Sequence, residues 1–140
     1  DFTYGAKAGR AEAWVVEGSY DSTVEAWVPR LMIQRTAEEG KPLESTFVSL
    51  YEPYLGDAPA LTAERLPLRR LDGTPLGDSH VALKVTRPDG NYDVLIFQDP
   101  EERVVCTVSV KKGKSLTMDG DFIFLRFKND MIEDSATSDF

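Results

Sequence analysis

Two alternating stretches joined by a turn constrain this chain more than anything else in it: His80-Val81-Ala82-Leu83-Lys84-Val85, then Asp89-Gly90, then Asn91-Tyr92-Asp93-Val94-Leu95-Ile96-Phe97. A period of two places successive side chains on opposite faces of a strand, so the residues sort onto the two sides of a sheet. An Asp-Gly pair supplies the positive φ that a tight antiparallel connection requires. The three pieces read as strand, turn and strand. Val81, Leu83 and Val85 alternate with Lys84 and Thr86, and Tyr92, Val94 and Ile96 with Asp93, Leu95 and Phe97. The pattern recurs where Val104, Cys106, Val108 and Val110 share one face and Thr107 and Ser109 the other. The run Phe122-Ile123-Phe124-Leu125-Arg126-Phe127 is apolar on both sides for most of its length, which predicts an inner strand covered on both faces.

Between these runs stand Asp72-Gly73, Lys112-Gly113, Asp119-Gly120-Asp121 and Asn129-Asp130, residues that accept turn geometry at low cost. Earlier strands are expected over 12–17, 23–28, 31–35 and 46–52. Pro29 and Pro53 cannot donate to a ladder, so each belongs at a strand end or a sheet edge. No window supports an amphipathic helix, and residues 60–66 allow one turn at most. Many short strands spaced by turn residues predict an all-β fold, an antiparallel two-sheet β-sandwich or jelly roll. A length of 140 residues with 41% hydrophobic content suits one domain over 1–140 with one core.

The net charge of -8, spread along the chain, argues against nucleic acid and against anionic lipid or polysaccharide held by bulk charge, since these ligands need a positive field. Local basic groups at Arg65, Arg69 and Arg70 and at Lys111, Lys112 and Lys114 read as solvated loops, with a small anionic group as the alternative ligand. No apolar run approaches the roughly 20 residues that cross a bilayer, so no membrane partner is expected. The chain starts at Asp1 with no charged-then-apolar leader, and a targeting segment is expected to have been removed or to lie outside it. A single cysteine allows neither a disulfide framework nor a metal-ligand spacing.

Few residues carry chemistry. His80 is the one histidine, so any Ser/His/Asp or Cys/His mechanism would run through it. At the head of a strand it reads better as a surface or capping residue. Asp119 with Asp121, or Asp89 with Asp93, offers oxygens to a hard cation, but neither loop has the regular spacing of a dedicated calcium site, and no metal or cofactor is expected. Cys106 reads as a small core residue rather than a reactive thiol. The aromatics Trp14, Trp27, Tyr51, Tyr54 and Tyr92 make a candidate carbohydrate platform if exposed, because flat rings stack on sugars while N–H and O–H groups bond hydroxyls. The other reading places both tryptophans in the core, and exposure decides between the two.

The run Pro29-Arg30-Leu31-Met32-Ile33-Gln34-Arg35, then Thr46-Phe47-Val48-Ser49-Leu50-Tyr51-Glu52-Pro53-Tyr54, then Val81-Ala82-Leu83-Lys84-Val85 with Gly90, Asp93 and Ile96, resembles the C-terminal β region of heparinase II/III-family polysaccharide lyases. Asp119-Gly120-Asp121-Phe122-Ile123-Phe124-Leu125-Arg126 is similar to the stretch that follows there. The likeness spans most of the chain from about Trp14, through hydrophobic and turn positions. It implies a bacterial, periplasmic or extracellular lyase in which an α/α toroid and preceding β layer carry the catalytic Tyr and His and any zinc. No position here matches those catalytic motifs. The resemblance therefore implies a non-catalytic accessory C-terminal domain, part of a larger lyase, whose partners are neighbouring domains of the same polypeptide. A carbohydrate-binding module that takes an oligosaccharide is the second expectation, and an independent enzyme the third.

Overall fold

The computed structural model describes residues 7–16, 25–43, 45–58 and 60–138. The chain divides into two compact units, residues 1–44 and 45–140, and the sandwich expected of the whole chain lies within the second.

The first unit holds one antiparallel pair, β1 (Lys7–Val16) and β2 (Glu25–Gln34). The expected breaks around Pro29 do not occur, because β2 runs through it. A proline fits opposite Glu12 when its nitrogen points away from β1, toward the open side of a two-stranded ribbon. Position 17, and positions 23 and 24, which were expected to lie in strands, fall outside the described residues.

The second unit is all-β and antiparallel. A five-stranded sheet has the order β10 (Met131–Ser138), β9 (Phe122–Lys128), β6 (Tyr92–Phe97), β5 (Val81–Thr86), β3 (Thr62–Leu66). A three-stranded sheet has the order β4 (Leu68–Arg70), β7 (Cys106–Lys111), β8 (Lys114–Met118). Residues 62–66, inside the 60–66 window that allows one helical turn at most, form β3 on β5. Only Pro67 separates β3 from β4, so one nearly continuous run leaves the larger sheet and enters the smaller. The missing N–H of Pro67 ends the first ladder at that point.

The turns follow their residues. Pro88 and Asp89 begin the β5–β6 connection, Gly90 takes φ 81°, and Arg87 N donates to Asn91 O at 2.8 Å. This is a three-residue loop with a left-handed third position. Asn129 (φ 47°) and Asp130 (φ 64°) make the two-residue link from β9 to β10, where both central residues must be left-handed.

Both sheets feed one core: Tyr92, Val94 and Ile96 from β6, Ile123, Leu125 and Phe127 from β9, and Cys106, Val108 and Val110 from β7, joined by Leu66, Leu68 and Ala82. Cys106 is completely buried, as expected of a small core residue, and burial pushes its thiol above the ordinary value. β9 is an inner strand between β10 and β6. The register places Val81, Leu83 and Val85 opposite Phe97, Leu95 and Asp93, and hence on the sheet face away from this core. The apolar stripe of β5 thus lies on the other face of the sheet, where Val81, Leu83 and Val85 are nonetheless buried, and Ala82 is the strand's contribution to the sandwich core.

Residues 46–52, expected to be a strand, have no ladder partner among the described residues. Their aromatic and aliphatic content suits a strand, but a strand exists only where another backbone completes its hydrogen bonds.

Candidate functional site

The five candidate sugar-stacking rings do not share one environment. Tyr92 is buried, at 5% exposure, and its ring stacks on Phe127 with centroids 4.6 Å apart and planes 14° from parallel. It presents no face to a ligand, so the expectation that it joins an exposed platform is corrected. Position 92 pairs with 127 across the β6–β9 ladder on the inner side of the sheet. Lys84 Nζ sits 4.8 Å from the Tyr92 centroid and Lys114 Nζ 4.6 Å from that of Phe127, so the stacked pair carries an ammonium on each ring. Trp27 is 68% exposed and stands opposite Trp14 in the β1–β2 register; the side chain of Trp14 lies outside the described residues. Tyr51 and Tyr54 are 87% and 58% exposed, in the part of the second unit that has no strand. Exposure keeps Trp27, Tyr51 and Tyr54 available, in two separately described units.

His80 is not a surface residue. Its side chain is fully buried at the head of β5. Nδ1 faces the Asp99 amide at 3.5 Å, while Nε2 has no hydrogen-bond partner and lies 3.7 Å from Glu102 Oε2. Arg70 NH2 donates to Glu102 Oε1 at 2.7 Å. Gln98 is buried beside them; its amide donates to Gly120 O at 3.0 Å, and its Oε1 accepts from Val104 N at 3.1 Å. Together these groups pin the connection from β6 to β7. A buried ring in this position reaches no outside substrate, and its contacts are those of a clamp on the connection.

The carboxylates are claimed locally. Asp93 accepts from Arg126 Nε and NH2 at 3.0 and 3.1 Å and from Arg87 NH1 at 2.9 Å. The two-pronged Arg126 bond holds that guanidinium above its ordinary pKa. Asp89 accepts from the Asn91 backbone and side chain, which lowers its pKa and organises the turn. Arg103 Nε lies 3.0 Å from Asp119 and 3.8 Å from Asp121. Among the described residues no three His, Cys, Asp or Glu side chains gather as metal ligands.

The basic groups are also engaged. Arg65 donates to the carbonyls of Asp78 and His80, Arg69 to that of Gly73, and Lys114 to that of Asp130, while Lys111 pairs with the Asp130 carboxylate. The hydrogen bond from Lys111 is the main cause of a lowered Asp130 pKa. The Arg87–Asp93–Arg126 group was missed in the sequence, since Asp93 and Arg126 are far apart in the chain and meet only as cross-strand partners.

A cleft of about 260 Å³ opens between residues 46–49 and Ser79, Val81 and Phe97. Its lining is mostly apolar, with the hydroxyls of Thr46, Ser49 and Ser79 as its polar groups. It is an apolar notch at one end of the outward sheet face.

No family model matches this chain, and neither a curated protein nor a solved structure does.

Proposed function

We propose that the chain is an accessory β domain that packs against a neighbouring protein layer rather than performing chemistry itself. The observation that carries this reading is the second apolar face of the five-stranded sheet. Leu95 and Phe97 on β6 and Phe122 and Phe124 on β9 lie opposite the sandwich core, with Phe97 exposed and the Phe97 and Phe122 rings 5.0 Å apart, beside Leu83 and Val85 of β5, which are buried within the chain. A sheet with one wet side alternates apolar and polar residues, whereas apolar residues on both sides suit a sheet that lies between layers. The sequence resemblance gives that neighbour as the catalytic part of a heparinase II/III-like polysaccharide lyase, in the same polypeptide and in a periplasmic or extracellular setting. On this reading the domain helps to shape the cleft in which the acidic polysaccharide is cut.

A second reading, a carbohydrate-binding module, draws on the exposure of Tyr51, Tyr54 and Trp27. Titration with acidic and with neutral oligosaccharides, followed by tryptophan fluorescence and calorimetry, separates the two. The accessory domain gives no heat and no spectral shift, and no unsaturated product absorbance appears on incubation with the polysaccharide. Saturable heat that Tyr51→Ala or Tyr54→Ala abolishes would establish the binding module instead. Product formation lost in His80→Ala would overturn both.

A further inference from the structure

We infer that the peptide bond between Tyr54 and Leu55 is a site of endoproteolytic cleavage, cut by a peptidase whose specificity pocket takes an aromatic side chain. The inference concerns residues 50–58 and stands independently of the accessory-domain reading. An endopeptidase holds its substrate extended, through main-chain hydrogen bonds to several residues on each side of the scissile bond, so that stretch of main chain must be free of its own fold. Residues 50–58 meet the requirement. Among the described residues, none of them takes part in a ladder, a backbone or side-chain hydrogen bond, or an ion pair. Positions 53–58 are exposed throughout, and Leu55 fully so.

The other exposed connections are tied down. Between β4 and β5, Arg70 N donates to Thr74 O at 2.8 Å, Leu76 N to Leu68 O at 3.0 Å and His80 N to Gly77 O at 3.1 Å. Between β6 and β7, Glu102 N donates to Asp99 O at 3.0 Å and Val104 N to Gln98 Oε1 at 3.1 Å. The β8–β9 link gives the carbonyls of Gly120 and Asp121 to Gln98. The remaining links of the sandwich are tight hairpins, which cannot be drawn out straight without breaking the ladders on either side. Tyr92, Phe97, Phe122, Phe124 and Phe127, the other aromatic residues of the sandwich, all lie in the β6–β9 ladder.

Within the free segment the residues select one bond. Tyr54 supplies an exposed aromatic ring before it and Leu55 an exposed side chain after it. Pro53 has φ fixed at about −65°, which keeps the main chain extended as it approaches the bond. Tyr51 is more exposed, but a cut after it would put Pro53 second on the leaving side, where the missing N–H removes a donor that an extended substrate offers the enzyme. Phe47 lines the notch against Val81 and Phe97. No Lys or Arg lies between Lys41 and Arg65, so a peptidase that needs a basic side chain has no bond to cut here. Hydrolysis adds water across the amide: the C–N bond breaks, the Tyr54 carbonyl carbon takes the hydroxyl to become a carboxyl group, and Leu55 leaves as a free amine. The strands β3 to β10 and the whole core cluster lie downstream of the cut, so the sandwich keeps both sheets and its core.

Limited digestion of the full chain with chymotrypsin, whose specificity pocket is a hydrophobic slot, tests the inference by intact mass. The fragment 55–140 is expected as the first product of any cut within residues 45–140, and it keeps a β-sheet circular dichroism spectrum. Urea below the unfolding transition leaves the rate of this cut unchanged relative to a short peptide substrate, because the bond is open in the native state, whereas cuts after Tyr92 or Phe127 accelerate. Leu55→Pro, which places a proline directly after the scissile carbonyl, and Tyr54→Ser, which removes the ring, each abolish the 55–140 fragment. A first cut after Phe47 or Tyr51 or inside β3 to β10, a rate at Tyr54 that climbs with urea, or a 55–140 fragment that persists in Leu55→Pro overturns the proposal.

Discussion

β6 and residues 46–52 draw on the same residue types, aromatic, aliphatic and small or polar, yet β6 lies between β5 and β9 while the other segment has no backbone partner among the described residues. In β6 each alternate side chain enters the core, Tyr92 onto Phe127 and Ile96 beside Ile123. In 46–52 the same types of side chain face solvent. The pattern supplies a capacity for pairing, and position in the fold decides whether it is used. Apolar residues therefore contribute very differently to stability in the two places.

The contrast is sharpest in large-to-small substitutions. Phe127→Ala, which removes a fully buried ring and its stack on Tyr92, is expected to cost about 3–5 kcal/mol, while Phe47→Ala stays within about 0.5 kcal/mol, both measured by urea unfolding. A loss of several kcal/mol at Phe47 would show that residues 46–52 contribute to a core after all. Asp93→Ala comes next: it leaves Arg87 and Arg126 without their shared acceptor on the β6–β9 ladder and is expected to cost about 2 kcal/mol. Gly113→Ala, in the β7–β8 turn at φ 78°, is expected to cost about 1 kcal/mol, because an added Cβ would meet no neighbour and only the backbone conformation opposes it.

The smallest effects concern pH and the Tyr92 end of the sandwich. Burial raises the Tyr92 pKa above its ordinary 10.0, so the folded chain keeps a proton that the unfolded chain releases. Its contribution is complete below pH 10.0 and is lost as pH rises through the higher folded value; Tyr92→Phe should flatten that alkaline decline in a series of urea melts. Asp130 has the opposite sign. Its pKa is lowered by the hydrogen bond from Lys111, so its contribution is present above 3.8 and disappears as pH falls through the lower folded value. Lys111→Ala should remove this acid-side dependence, and an unchanged slope would mean that the exposed pair is solvated on its own.

The legible part of the fold was the part ruled by local chemistry. Asp89-Gly90 and Asn129-Asp130 announced their hairpins because positive φ is a property of those residues. Cys106 and its alternating neighbours announced a buried face. What depended on partners was not legible. The outward direction of Val81, Leu83 and Val85 is set by the register on β6, and the burial of His80 by Glu102 and the β6–β7 connection. The candidate site divides in the same way. Exposure of Tyr51 and Tyr54 fits a segment without a ladder, whereas Tyr92 has the same amphipathic character and is claimed by the core because Phe127 lies opposite it.

Pro67 makes the two sheets mechanically inseparable. Because β3 and β4 are consecutive pieces of one run, peeling the three-stranded sheet away would tear Leu66 and Leu68 from the same core at the same time. β3 and β4 thus cannot open independently of one another. The amides of β5 and of β7 should therefore exchange with solvent through a single global event, and the domain should hold its shape until it loses all of it.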